Sequence, residues 1–176
     1  SLLISNLAIQ ARFVEAGPLV TAAELGVVRA QKSPILEAEL ACSLGFLAIN
    51  QRIDLEEARK QYQRCRDKRE LELGKEHPLV AEAISGIGGA YSMMGRDGEA
   101  RPYYEQALAM AGHTVGTGTV IYARYAMLLG IATQVTDLQR AHGYFQSALE
   151  VFTRVVPESA PEAVAHLNLS MVSLEL

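Results

Sequence analysis

Leu73-Gly74-Lys75-Glu76-His77-Pro78 leads into an apolar helical pattern that ends at Met94-Gly95-Arg96. Gly98-Glu99-Ala100-Arg101-Pro102-Tyr103-Tyr104-Glu105-Gln106-Ala107-Leu108 follows. The stretch reads as one complete helix-turn-helix unit. In its first helix Ile84, Ile87, Gly88 and Tyr91 stand at i, i+3, i+4 and i+7, a single helix face on which Gly88 offers a flat spot to a crossing helix. In its second helix the small residues Ala100 and Ala107 admit a close neighbour, and Tyr104 fills the gap between them. A glycine inside a helix costs roughly 0.5–1 kcal/mol relative to alanine. Gly88 has this packing reason, whereas Gly86 and Gly89 point to close approach by something else, or to a soft helix.

Outward from this unit, the second-helix pattern recurs. A small residue is followed four later by a larger apolar one, and three after that by a small one, at Ala23/Val27/Ala30, Ala58/Tyr62/Cys65, Ala100/Tyr104/Ala107 and Ala141/Phe145/Ala148. Successive copies lie 35, 42 and 41 residues apart, and a period in the range of roughly 34–47 is the mark of stacked helix pairs. Strand signals are nearly absent, and alternating period-2 stretches are short. Helical spacing between Gly and Pro punctuation predicts about nine helices, over 1–14, 19–32, 35–50, 54–73, 78–94, 97–111, 118–134, 137–155 and 161–175. Pro34, Pro78 and Pro161 occupy first-turn positions, and Asp54 and Asp137 stand as N-caps.

Composition limits the function classes. The chain has 176 residues, 49% apolar and 20% charged, with a formal net charge of −4. That is a globular composition, neither disordered nor polycationic. A pI near 5.6 argues against nucleic acid as a partner, because phosphate neutralisation needs clustered Lys and Arg. The longest apolar candidate, 120–135, is broken by Arg124 and Gln134, so membrane insertion is not expected. The start, Ser1-Leu2-Leu3-Ile4, lacks a basic lead-in and is not read as a signal peptide. Cys42 and Cys65 match neither a disulfide framework nor a zinc motif. Reduced thiols in the cytoplasm or another reduced intracellular compartment are the expectation.

The set Ile84, Ile87, Gly88, Tyr91, Gly95, Ala100, Tyr104 and Ala107 resembles the tetratricopeptide repeat at matching spacing; only Asp97, where an aromatic is usual, departs from it. The join Leu73-Gly74-Lys75-Glu76-His77-Pro78-Leu79-Val80-Ala81 is similar to that of the extended, 42-residue repeats of the kinesin light chain type. Other joins, at 112–118 and 157–161, lack the His-Pro. The resemblance implies an all-α fold, a right-handed superhelical solenoid of antiparallel helix pairs that binds partners on its concave side. It implies one domain over 1–176, with units at about 1–33, 34–76, 77–116 and 117–159 and a terminal helix at 160–176 that is a cap or part of a longer array. HEAT-like repeats use similar periods but do not call for the Gly88/Tyr91/Ala100/Tyr104/Ala107 set.

Catalytic and cofactor chemistry find no motif. His77, His113, His142 and His166 form no i, i+4 pair with one another or with Cys, so neither a metal nor another cofactor is expected. His77 reads as a turn residue. The run from Gly112 to Thr119 invites a phosphate-loop reading but lacks Gly-Lys-Ser/Thr and a preceding strand, and a connection between repeats accounts for it better. Cys65 takes the small-residue place of the repeat, as a buried small hydrophobe rather than a nucleophile. The charged stretch 56–76 interleaves both signs and reads as a solvated helix face.

If the resemblance holds, the side of each first helix turned away from its second helix forms a groove. The predicted partner-binding residues are Asn6, Ile9, Phe13, Phe46, Asn50, Ser85, Gly89, Met93, Met127, Ile131 and Asn168. The face is rich in Met, Phe and Ile and nearly free of Lys and Arg, so a basic clamp for a carboxyl terminus is not expected. The function expected is a non-enzymatic scaffold for a protein or peptide partner, or a structural subunit of a larger complex. The alternative is a peptide-sensing regulatory domain whose effector lies outside this chain.

Overall fold

The computed structural model describes residues 13–30 and 33–176, with side chains from Glu15 onward. Among the described residues the fold is all-helical. The chain divides after Gly95 into two compact units. Unit 1 holds α1 (Phe13–Arg29), α2 (Pro34–Gln51), α3 (Leu55–Leu73) and α4 (Pro78–Met93), and unit 2 holds α5 (Asp97–Thr114), α6 (Val120–Thr133), α7 (Leu138–Val155) and α8 (Ala160–Glu175). Eight of the expected helices are therefore present, while the ninth, 1–14, lies outside the described residues except for its last two positions.

Local chemistry starts these helices where the sequence indicates. Asp54 accepts the Glu57 N–H at 2.8 Å and Asp137 that of Arg140 at 3.0 Å. Thr119 and Ser159 cap α6 and α8 in the same way. These side chains satisfy donors that the first turn leaves open. His77 Nδ1 accepts the Leu79 N–H at 3.2 Å, so this histidine is the N-cap of α4, with Pro78 at the first helical position. At the start of α8 the Glu162 carboxyl is held below its usual pKa, first by a hydrogen bond from Thr153 and then by backbone N–H groups.

Two boundaries differ from expectation. The gap expected between 14 and 19 is absent, and α1 runs through Gly17 and Pro18. Proline removes one N–H there, but Ala16, Leu19, Val20 and Ala23 pack with Phe46 and Leu47 of α2, and that burial holds the helix together across it. Helix α5 continues to Thr114 rather than stopping at 111, because Met110 and Ala111 are buried and the Thr114 hydroxyl bonds back to the Met110 carbonyl at 2.8 Å. The expected loop over 112–119 shrinks accordingly to its last five residues.

Within unit 1 each helix packs on the next, and the first-type helices α2 and α4 also touch directly. The small–aromatic–small pattern explains how. The Tyr62 ring of α3 lies over Gly45 of α2 and also over Gly86 of α4. A Cβ at Gly45 would stand 2.8 Å from the ring, and one at Gly86 would overlap it. The close approach that Gly86 signals in the sequence is therefore made by Tyr62. Unit 2 repeats the device, with Phe145 of α7 seated on Gly130 of α6, where a Cβ would stand 2.6 Å away. Ala123, Ala126, Ala148 and Ala165 form the alanine-lined core around which α6, α7 and α8 pack.

The cysteines require a correction. Cys42 and Cys65 form a disulfide joining α2 to α3, with Cα atoms 5.3 Å apart, and Cys65 is fully buried with Ala38, Ala41 and Ala83. The crossing of two helices at small residues brings the two Cβ atoms within bonding reach, which the 23-residue separation does not reveal. The reduced compartment expected from two free thiols loses its basis. Among the described residues, no helix is long and apolar enough to cross a membrane.

Closing a loop of this length removes unfolded-state entropy worth about 3 kcal/mol. Urea unfolding with and without dithiothreitol is expected to show that loss of stability; a midpoint indifferent to reductant would contradict it. Gly130→Ala is expected to destabilise unit 2 by about 1–2 kcal/mol, because crowding against Phe145 outweighs the gain in helix propensity. Thermal unfolding of the variant checks the sign.

Candidate functional site

Two residue ladders define the candidate surface of unit 1. On α2, Glu39, Cys42, Phe46 and Asn50 follow one another at i, i+3, i+7 and i+11, and on α4 Glu82, Ser85, Gly89 and Met93 do the same. Each spacing keeps its residues on one helix face. The two ladders share one spacing, and Arg69, which binds both Glu39 and Glu82, brings their heads together on neighbouring helices.

At one end of the ladders sits a residue that sequence reading assigned to a solvated face. Arg69 of α3 is only 3% exposed. Its guanidinium donates to Glu39 Oε1 at 2.8 Å, to Glu82 Oε2 at 3.0 Å and to the Leu79 carbonyl at 2.6 Å. One side chain thus ties α2, α3 and α4 together. Its planar fork suits several acceptors at once, where a lysine would offer a point charge. The two carboxylates are 37% and 50% exposed, so the pair presents acidic oxygens to solvent while sharing one cation. Nearby, Lys68 bonds Glu37 at 2.7 Å, a second strap between α3 and α2. The rest of the 56–76 stretch behaves as a solvated face, with Arg59 on Glu56 and Arg66 on Asp67 and Glu70.

The predicted groove residues fall into three groups. Asn6 and Ile9 lie outside the described residues, as does the side chain of Phe13. Phe46 packs half-buried against Ala16 and Leu47, and Ser85 is buried. In unit 2, Met127 packs into two core clusters, between Ala126, Ala165 and Val172, and Ile131 lies half-buried against Phe145 and Val172. These side chains serve the stacking of helices. Met93 and Asn50 are exposed, and Gly89 and Asn168 are half-buried. The exposed Asn50 donates its side-chain amide to the Phe46 carbonyl at 2.8 Å. Cys42 is turned into the disulfide. No set of three or more His, Cys, Asp or Glu side chains able to hold a metal occurs among the described residues.

Sequence reasoning missed Glu39 and Glu82. The signal was present in their shared place at the head of each ladder, but their link to Arg69 spans 30 and 13 residues and becomes visible only in three dimensions.

Helix pairs joined by small–aromatic–small contacts define the class as a helical-repeat fold. Residues 36–112 match the family model of the tetratricopeptide repeat. The family is one of protein-interaction scaffolds. Among solved structures, BtubC (BKLC) from P. vanneervenii superposes with a TM-score of 0.74 over 94% of this chain at 24% identity, a likeness of fold. The chain spans 66% of the length of that protein. Comparison with curated protein sequences found no match.

Removing Arg69 leaves two neighbouring carboxylates without their shared cation. Because both reach solvent, Arg69→Ala is expected to cost about 2 kcal/mol, below the roughly 3–5 kcal/mol that breaking a fully buried ion pair costs. Glu39→Gln should cost distinctly less. Urea midpoints of the two variants test the order, and equal losses would show that Arg69 is not the hub.

Proposed function

We propose that this chain is a binding module without chemistry of its own, holding a protein partner along the α2–α4 face of unit 1. The observation that carries this reading is the pair of ladders whose heads Arg69 brings together. Their exposed members offer an apolar contact at Met93 beside the bare backbone of Gly89, a side-chain amide at Asn50, and carboxylates at Glu39 and Glu82. Methionine suits adaptable apolar contact. Gly89 lets a partner backbone come close.

The matching partner is an extended peptide or a helix carrying an apolar side chain and, one or two turns away, a basic one. Charge supports this choice. Two half-exposed carboxylates sharing one guanidinium leave a net negative end, which attracts Lys or Arg and repels a carboxyl terminus or a phosphate backbone. In unit 2, Met127 and Ile131 of α6 pack into the core, which leaves the half-buried Asn168 of α8 as a polar contact there.

Selection of binders from a displayed random-peptide library against the intact chain tests the proposal. Selected peptides are expected to combine a basic and an apolar position, and to weaken on raising salt. Met93→Asp should reduce their binding about tenfold or more, as loss of an interface anchor does, and Glu82→Gln should lower it and its salt dependence together. Circular dichroism of both variants should match the parent. Peptides that bind Met93→Asp and Glu82→Gln unchanged would overturn the assignment.

A further inference from the structure

Within unit 2 a cleft of about 430 Å³ lies between α5 and α7, with α6 at its base. That volume falls in the range of roughly 300–1,000 Å³ found for small-molecule sites. Helix α5 lines it with Glu105, Leu108, Ala109, Gly112 and His113, whose spacing of i, i+3, i+4, i+7 and i+8 is one helix face. Two of these five are small, so no α5 side chain fills the space between Leu108 and His113.

The cleft is apolar within and charged at one end. Leu129 is buried at its base and Leu108 is half-buried. The rings of Tyr122 and Tyr144 line it, and Tyr122 comes within 3.6 Å of where a Gly112 Cβ would stand. Arg140, one turn before Tyr144 on α7, donates to the Tyr144 hydroxyl at 3.2 Å and forms no ion pair with a described carboxylate. It is held toward its charged form first by the hydrogen bond and charge of Tyr144, and then by the carboxylates of Asp137 and Glu105. Glu105 itself reaches Arg101 only at 4.0 Å. Arg140 and Glu105 therefore face the same end of the cleft without bonding each other. His113, about 12 Å further along α5, marks the opposite end.

This arrangement selects among ligands. The guanidinium fork takes a carboxylate through paired N–H bonds, and the Glu105 carboxylate takes an ammonium. Leucines and tyrosine rings take a flat apolar body through stacked or edge-on contact. Glu105 repels an inorganic anion, a purely apolar molecule would cover Arg140 without pairing it, and a peptide terminus carries only one of the two charges.

We propose that the α5–α7 cleft binds a free aromatic α-amino acid, its carboxylate on Arg140, its ammonium on Glu105 and its ring along Leu108 toward Tyr122. The cleft shares no residue with the α2–α4 face, and the proposal stands or falls separately from the peptide-binding one.

The probe is L-phenylalanine, titrated into the intact chain labelled with 13C in its tyrosine rings. The Tyr122 and Tyr144 signals are expected to shift together while Tyr62 stays unmoved, with half-saturation on the order of 1 mM, the strength of a ligand this small. N-acetylphenylalanine, which lacks the ammonium, and phenylalanine amide, which lacks the carboxylate, should each bind about tenfold more weakly. Glu105→Gln should erase the first of these penalties and Arg140→Gln the second, both at unchanged helicity. Ala109→Leu, at an exposed position, should fill the cleft and abolish the shifts. The proposal is overturned by Tyr122 and Tyr144 signals that stay still at tens of millimolar phenylalanine, by equal binding of N-acetylphenylalanine, or by binding that survives Ala109→Leu. Glycine producing the same shifts at the same concentrations would count against it equally, because the apolar cleft would then have no part in recognition.

Discussion

An aromatic ring pressed onto a glycine is the constraint on which the rest of this structure depends. Tyr62 touches Gly45 within its own helix pair and Gly86 on the next first-type helix, so one side chain sets both the hairpin and the step to the following layer. A flat ring against bare backbone lets the helices come closer than any side chain at those positions would allow. The buried alanines around it, Ala38, Ala41, Ala58 and Ala83, continue the same close approach along the crossing. Because the helices meet through small residues, little apolar side-chain volume lies between them, and the layer gains stability from covalent and ionic ties as well. The Cys42–Cys65 disulfide and the Arg69 hub supply those ties.

The proposed binding surface is what this packing leaves over. Once the second-type helix and the next layer have taken their faces, a first-type helix keeps one narrow side toward solvent. On α2 and α4 that side carries Glu39 and Glu82 at one end and Asn50 and Met93 at the other. Arg69 does double duty there: it binds three helices together and positions the two carboxylates side by side. A surface made by regular stacking is recognised as a ladder rather than as a pocket, which suits an elongated partner.

Much of this was legible in the residues. The small–aromatic–small pattern and the Leu-Gly-x-x-His-Pro join gave the helix pairs, and Asp54, His77 and Asp137 marked starts because capping is local chemistry between residues two or three apart. Gly86 was readable as a place of close approach, although not by what. Features that depend on distant pairing were not readable. Cys65 looked like any small residue of the repeat, and only the α2–α3 crossing brings Cys42 to it. Arg69 sat in a mixed-charge helix whose other members are solvated, and nothing in its neighbours distinguishes it. The groove was expected on first-type helices, and there Phe46, Ser85, Met127 and Ile131 are covered or packed by adjacent helices, which a single-helix reading does not take into account.

The ring-on-glycine contact is tested most directly by a double-mutant cycle on Gly86→Ala and Tyr62→Ala, with stability read from urea unfolding. If the Tyr62 ring is what occupies the space at Gly86, alanine there will destabilise the parent chain yet become neutral or stabilising once the ring is gone, giving a coupling of about 1 kcal/mol or more. Additive losses in the two variants would contradict the account, because they would mean that the ring and the glycine do not share that space.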